Sequence, residues 1–195
     1  MEKLVLASRN RHKLGELKFF LSGLPFEVVS LDDFPAIPPL IEDGATFYEN
    51  ALRKAHQVCG RTNELTLADD SGLEVFFLNG RPGVYSARYT GPDANDEGNN
   101  LKLLREMKGV PPRRRVAQFH AVLALVGKNI EKTTEGLCKG VLAEAPRGSN
   151  GFGYDPIFIP GGFSRTYAEL TAEEKNGISH RSRAFGEMRE ILKSI

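Results

Sequence analysis

With 195 residues, 41% of them hydrophobic and 26% charged, the chain has the composition of a globular protein of one ordinary domain or two small lobes. Roughly 70% of the unfolded surface is buried at this size, so neither a disulfide framework nor a structural metal is required. Twenty-six basic side chains against 25 acidic ones leave a net charge of +1, which excludes a chain that captures nucleic acid by bulk charge. No apolar run approaches the ~20 residues that span a bilayer, and Met1 to Leu6 reads as a strand too brief for a signal-peptide core. Cys59 and Cys138 lack CxxC spacing, against both a zinc site and a disulfide scaffold. The expectation is a cytoplasmic protein with no membrane and no nucleic-acid partner.

The chain opens with a buried strand, Leu4-Val5-Leu6-Ala7, followed by a helical pattern in which Leu14, Leu17, Leu21 and Leu24 form one stripe. Phe26 to Val29 fits a second strand, and Pro35 to Pro39 an extended connection. Thr46-Phe47-Tyr48-Glu49 has capping-box spacing and opens a helix whose inward face is Phe47, Ala51, Ala55, Val58 and Cys59. Leu65 to Ala68 reads as a strand that empties into Asp69-Asp70-Ser71-Gly72. A separate strand, Leu73 to Leu78, ends at the tight turn Asn79-Gly80. Asp96 to Lys108 is helical through Leu101, Leu104 and Met107; Val116 to Val126 and Thr133 to Leu142 are strands around Gly127-Lys128-Asn129. After the glycine-rich Gly148 to Asp155 comes a strand, Pro156 to Ile159. Thr171 and Ser179 open the closing helices, the last with the stripe Phe185, Met188, Ile191, Leu192 and Ile195. Interleaved strands and helices give an α/β class with a mixed sheet, and no linker divides residues 1–195, so two lobes would have to share elements.

Five segments carry chemistry. In Ser8-Arg9-Asn10-Arg11-His12-Lys13 a strand gives way to a helix whose first turn is cationic, which the macrodipole disfavours unless an anion is also bound. The segment describes a phosphate cradle or, equally, an ordinary N-cap beside surface charge; it is not a Walker A loop. Asp69 and Asp70 are adjacent like charges that need a neutralising cation or a proton, and magnesium, with one or two carboxylates plus phosphates, suits them better than a solvated turn does. Glu42 is a further oxygen ligand for such an ion, and Lys54, four residues from Asn50 on the same helix face, is either solvated or turned toward phosphates. Glycines around Phe152 and Gly153-Tyr154-Asp155 suit a flat ligand or a tight loop with inward aromatics. Lys175, His180 and Arg181 are donors suited to a 6-oxo purine edge or, taken alone, to a basic surface helix. Arg113-Arg114-Arg115 reads as a solvated loop, and His56 and His120 as structural.

These segments, in this order, resemble the inosine triphosphate pyrophosphatase family, also called XTP/dITP diphosphatases, over nearly the whole chain. The likeness is carried by Ser8-Arg9-Asn10 with Lys13, Glu42 to Ala51, Ala68 to Leu73, Pro82 to Tyr89, Gly151 to Pro156, and Glu174-Lys175 with Ile178 to Arg181. It implies an elongated α/β fold with a curved mixed sheet, flanking helices and two lobes around a nucleotide cleft, usually in a homodimer. It also implies magnesium-dependent hydrolysis of ITP, dITP and XTP to the monophosphate and pyrophosphate. By the resemblance, Ser8, Arg9, Asn10, Arg11, His12 and Lys13 line the triphosphate site. Glu42 and Asp70 bind the metal, and Asp70 is the proton acceptor, with Asp69 and Lys54 in support. Ser71 contacts substrate, Phe152 stacks on the base within the loop Gly153-Tyr154-Asp155, and Lys175, His180 and Arg181 read its edge. A related Maf-type nucleotide pyrophosphatase, a non-catalytic nucleotide-binding protein and an RNA-binding module using Arg113 to Arg115 are the competing readings.

Overall fold

Three parallel strands form the first half of the sheet. In the computed structural model, which describes residues 2–195, β1 (Glu2–Leu6) lies between β2 (Phe26–Ser30) and β3 (Leu65–Val75), with Leu4 opposite Val28 on one side and Leu65 on the other. Leu4, Val5 and Leu6 are wholly buried, as expected of a parallel strand covered on both faces. Parallel neighbours need crossovers, and helices α1 (Arg11–Leu21) and α2 (Phe47–Thr62) supply them. Strands β4 (Val116–Gly127), β5 (Ile130–Leu142) and β6 (Phe158–Pro160) complete a six-stranded sheet of order β2-β1-β3-β4-β5-β6, with β6 antiparallel to β5. Helices α3 (Asp96–Glu106), α4 (Ala172–Ile178) and α5 (His180–Lys193) flank it. The mixed α/β class expected from the interleaved pattern is the one observed. Among the described residues, no helix is long and apolar enough to cross a membrane.

The chain forms two compact units, each with its own core. One contains the chain as far as Asp70, Ala121–Gly136 and Ser182–Ile195; the other contains Ser71–His120 and Leu137–Arg181. The first core joins Leu14, Leu17 and Leu21 of α1 to Leu6, Leu67 and Leu123 of the strands and to Phe185, Met188 and Leu192 of α5. The second gathers Leu73, Leu103, Phe119, Ile157, Phe158 and Tyr167. Each fully buried aliphatic or aromatic side chain stabilises its unit by about 1.5–3 kcal/mol.

Several local expectations are corrected. Asp69-Asp70-Ser71-Gly72 does not end a strand: β3 runs unbroken through it and stops at Val75, where a 3-10 turn, Phe76–Leu78, leads to Asn79-Gly80. The extended course survives because the 3-10 turn Gly83–Arg88 packs directly on Gly72, where a Cβ would overlap Ser86 and stand 2.6 Å from the Gly83 carbonyl. Ser86 Oγ takes the next N–H, that of Leu73, at 2.9 Å. At the head of α2, Thr46 Oγ1 accepts from the Glu49 N–H as expected, but the Glu49 carboxylate takes the N–H of Ala45 rather than that of Thr46. In α3 Met107 is wholly buried and Leu104 packs on the core as expected, but Leu101 is exposed and Asn99, Asn100 and Leu103 are buried on the inward face.

Arg115 departs most from expectation. It is 4% exposed rather than solvated, and its guanidinium donates to the carbonyls of Leu142, Met107 and Ala143 at 2.9, 2.9 and 2.6 Å. Removing it takes a donor from all three; the Met107 carbonyl keeps the Val110 N–H at 3.2 Å, so the cost falls mainly on those of Leu142 and Ala143, at roughly 1–3 kcal/mol apiece. Arg115→Met is expected to cost about 3 kcal/mol or more, lowering Tm by about 6–12 °C, whereas Arg113→Ala stays within about 0.5 kcal/mol. Urea and thermal unfolding measure both; equal effects would show that the three-carbonyl clasp does not stabilise the fold.

Candidate active site

The phosphate-type cluster belongs to the first unit and is built on β3. Successive side chains of a strand point to opposite faces, so Asp69 and Asp70, though adjacent, are neutralised separately. The Lys13 ammonium from α1 pairs with the Asp69 carboxylate and lies 3.4 Å from the Asp69 carbonyl. The Lys54 ammonium from α2 donates to Asp70 Oδ1 at 2.7 Å and to the Asp69 carbonyl at 2.8 Å. Lys54 is 4% exposed and so is neither solvated nor at large on the helix surface. Ahead of Lys13, Asn10 caps α1: its Oδ1 accepts the N–H groups of His12 and Lys13 at 3.0 and 3.2 Å, while Ser8 Oγ accepts that of Asn10. The first turn thus holds no acid and offers Arg11, His12 and Lys13 at the positive end of the dipole. Arg9 turns elsewhere, donating to the carbonyls of Ile37 at 2.9 Å and Leu31 at 3.5 Å.

Glu42 reaches the same ammonium, its carboxylate 3.6 Å from Lys54 Nζ. Its loop is stitched to α2 by side chains: Gln57 exchanges hydrogen bonds with both backbone groups of Ile41 at 3.0 Å, and Asn50 Oδ1 accepts the Gly44 N–H at 2.8 Å. Among the described residues, no three His, Cys, Asp or Glu side chains cluster as a ready-made metal centre. The Glu42 and Asp70 carboxylates both approach the Lys54 ammonium and are oxygen donors of the kind that could hold a divalent cation together with phosphate and water. Asp70 Oδ2 is buried with no hydrogen-bond partner, an acceptor that a cation or a proton would satisfy. Burial pushes the Asp70 carboxyl above the ordinary carboxylate range, against the lowering pull of Lys54 and Lys13, and the Glu42 charge adds to the rise.

The base-type cluster belongs to the second unit. Lys175, on the short capped helix α4, pairs with Asp155 at 2.6 Å, and the same Asp155 oxygen accepts the Phe152 N–H at 3.0 Å. Asp155 is therefore committed inside the loop. Gly151 has φ of +75°, and a Cβ there would overlap the Asp155 carboxylate, so only glycine fits. Lys175 Nζ lies 4.8 Å and the Arg181 guanidinium 5.2 Å from the centre of the Phe152 ring. Arg181 also donates to Ser71 Oγ at 2.6 Å, and His180 stacks on Phe119 with 4.7 Å between centroids. Tyr154 is buried and donates to the Ser86 carbonyl at 2.9 Å. Lys175, His180 and Arg181 are all buried, which a basic surface helix would not be.

Sequence reading missed the residues behind this loop. Asp96 accepts the Gly153 N–H at 2.6 Å and Asn100 donates to the Gly153 carbonyl at 2.8 Å. Asn99 takes the Thr90 N–H and donates to the Ser86 carbonyl. A polar run at the head of a helix (Asn95 to Asn100) was the available signal.

The Ham1 family model matches residues 4–191. A Geobacter sulfurreducens protein named dITP/XTP pyrophosphatase is 49% identical over 98% of this chain and 97% of its own. One of the same name from Geobacillus kaustophilus is 47% identical over 100% and 96%. Among solved structures, a HAM1 protein from Coxiella burnetii superposes with a TM-score of 0.92 at 40% identity, covering 100% of both chains. The Staphylococcus aureus Ham1 protein gives 0.90 at 38%, covering 99% of each.

Because burial favours the protonated Asp70 carboxyl in the folded chain, Asp70 assists folding at acid pH, and that contribution is lost as pH rises through its raised folded value. Asp70→Asn, which does not titrate, is expected to gain stability relative to the parent chain as pH rises from about 4, the ordinary Asp value, through the raised folded value. Paired thermal melts read this as a Tm difference moving in the variant's favour; a flat difference would mean that the carboxyl is not perturbed.

Proposed function

We propose that this chain, which belongs to the Ham1 family, hydrolyses the deaminated purine nucleotides ITP, dITP and XTP to the monophosphate and pyrophosphate, clearing them from the nucleotide pool. The supporting observation is the Asp69–Asp70 pair held by Lys13 and Lys54, with Asp70 Oδ2 left as an acceptor, on a chain so close to named dITP/XTP pyrophosphatases. We further propose magnesium as the cofactor, a homodimer as the assembly and the cytoplasm as the location.

Glu42 and Asp70 would hold magnesium, which when bound offsets charge on the phosphates and raises the electrophilicity of phosphorus. The cationic first turn of α1, with Arg11, His12 and Lys13 at the positive end of the dipole, takes the triphosphate, with Ser8, Arg9 and Asn10 setting the course of that segment. A water oxygen attacks the α-phosphorus, the α–β bridging P–O bond breaks, and pyrophosphate leaves with that bridging oxygen. Asp70 orients the water and takes its proton or, since a carboxylate that holds a metal is a poor base, passes that role to Asp69. Lys54 keeps Asp70 oriented, and Asp69 holds Lys13 in place. Phe152 stacks on the base, Gly153, Tyr154 and Asp155 shape its loop, and Ser71 contacts the substrate. Lys175, His180 and Arg181 supply donors to the 6-oxo edge, which a 6-amino purine would leave unpaired.

A panel of nucleoside triphosphates assayed for pyrophosphate release is the direct test. ITP, dITP and XTP are expected to turn over well and ATP poorly, and Asp70→Asn to lose about 100-fold or more in kcat. Arg181→Ala is expected to lower the preference for ITP over ATP by about tenfold or more. Equal use of ATP by the parent chain, or ITP binding without pyrophosphate, would overturn the reading; sedimentation tests the dimer.

A further inference from the structure

Phe152 lies between two glycines whose φ angles are both positive, +75° at Gly151 and +63° at Gly153. Glycine offers no restraint of its own, so the placement of the Phe152 ring depends on what its neighbours supply, among them the Lys175 and Arg181 cations against its face. The backbone on either side is restrained as well. The peptide before Phe152 is held through its N–H by Asp155 at 3.0 Å. The peptide after it is gripped at both ends by α3: Asp96 Oδ2 accepts the Gly153 N–H at 2.6 Å, and Asn100 Nδ2 donates to the Gly153 carbonyl at 2.8 Å. Asp96 stands in the first turn of α3, where the dipole favours a negative charge, so its carboxylate makes a charge-assisted bond. The neighbouring residue Asn99 anchors the same helix to the Ser86 carbonyl, which keeps the two gripping side chains in register.

We infer that Asp96 and Asn100 are specificity-determining positioning residues: they orient the Phe152 ring for a purine by fixing the Gly153 peptide from α3, without touching the nucleotide. The inference rests on the nucleotide reading above and deepens it. A loosened Gly153 peptide lets the ring tilt, which weakens base binding and selection while leaving the phosphate chemistry of the Asp69–Asp70 cluster intact.

The experiment compares Asp96→Ala, Asp96→Asn, Asn100→Ala, Phe152→Ala and the double variant Asp96→Ala/Phe152→Ala. Pyrophosphate release from ITP and ATP with magnesium is read alongside calorimetric binding of IMP. Asp96 is exposed, so its variants are expected to fold, which a thermal melt checks. Asp96→Ala is expected to raise KM for ITP and weaken IMP binding about tenfold, with kcat within about twofold. Asp96→Asn, which keeps an acceptor oxygen, recovers most of that loss, and Asn100→Ala moves the same readouts in the same direction. In the Phe152→Ala background, Asp96→Ala costs nothing further, because its whole effect passes through the ring. Unchanged KM and IMP binding in Asp96→Ala, or a loss that adds in full to that of Phe152→Ala, overturns the inference while the nucleotide reading stands. A parent chain that neither binds IMP nor releases pyrophosphate from ITP overturns both.

Discussion

The Lys54 ammonium is the constraint around which the first unit is arranged. It is buried, and it meets the Asp70 carboxylate, the Asp69 carbonyl and, at longer range, the Glu42 carboxylate. A buried cation is tolerated only with charged and hydrogen-bonded partners, so α2, β3 and the loop carrying Glu42 must hold their places together. The capping of α2 and the stitching of residues 41–45 by Gln57, Asn50 and Glu49 serve that end. Removing one of these partners throws the buried charge onto those that remain, which couples the fold to the site here.

The second unit solves the opposite problem. Phe152 is apolar and sits on a glycine-rich turn, so polar side chains are committed to its backbone. Asp155 takes an N–H and a lysine at once, and that lysine in turn lies over the ring. The negative face of the ring attracts each cation beside it, which helps to place the Lys175 ammonium and the Arg181 guanidinium. Buried Arg115 uses the same economy away from the loop, with one guanidinium satisfying three carbonyls.

Much of this was legible in the chain itself. Alternating apolar runs and the Leu14–Leu17–Leu21 stripe placed β1, α1, β2 and α2 close to their observed bounds, because burial on a regular period is a local property. The acidic pair, the early lysine and the late histidine–arginine pair stood out as residue types in a pattern that matched a known family. Less legible was what those residues touch. The break read into Asp69 to Gly72 came from residues that prefer turns in isolation, whereas the packed 83–88 turn keeps the strand extended. The inward Asn99 and Asn100 went unseen because helical periodicity ranks leucine above asparagine, although here the asparagines are the buried residues.

Order of elements, α/β class and family membership were thus determined by the sequence alone, since each follows from local spacing or from likeness to other chains. The partner of every charged group was decided by the tertiary structure. Lys13 takes Asp69 and Lys54 takes Asp70, Arg115 is buried while its two neighbours are exposed, and Gly153 is held by a helix more than fifty residues away. The physical reason is range. Propensity and periodicity act over one or two turns of chain, whereas a buried charge is satisfied by whatever donor or acceptor the fold brings within about 3 Å.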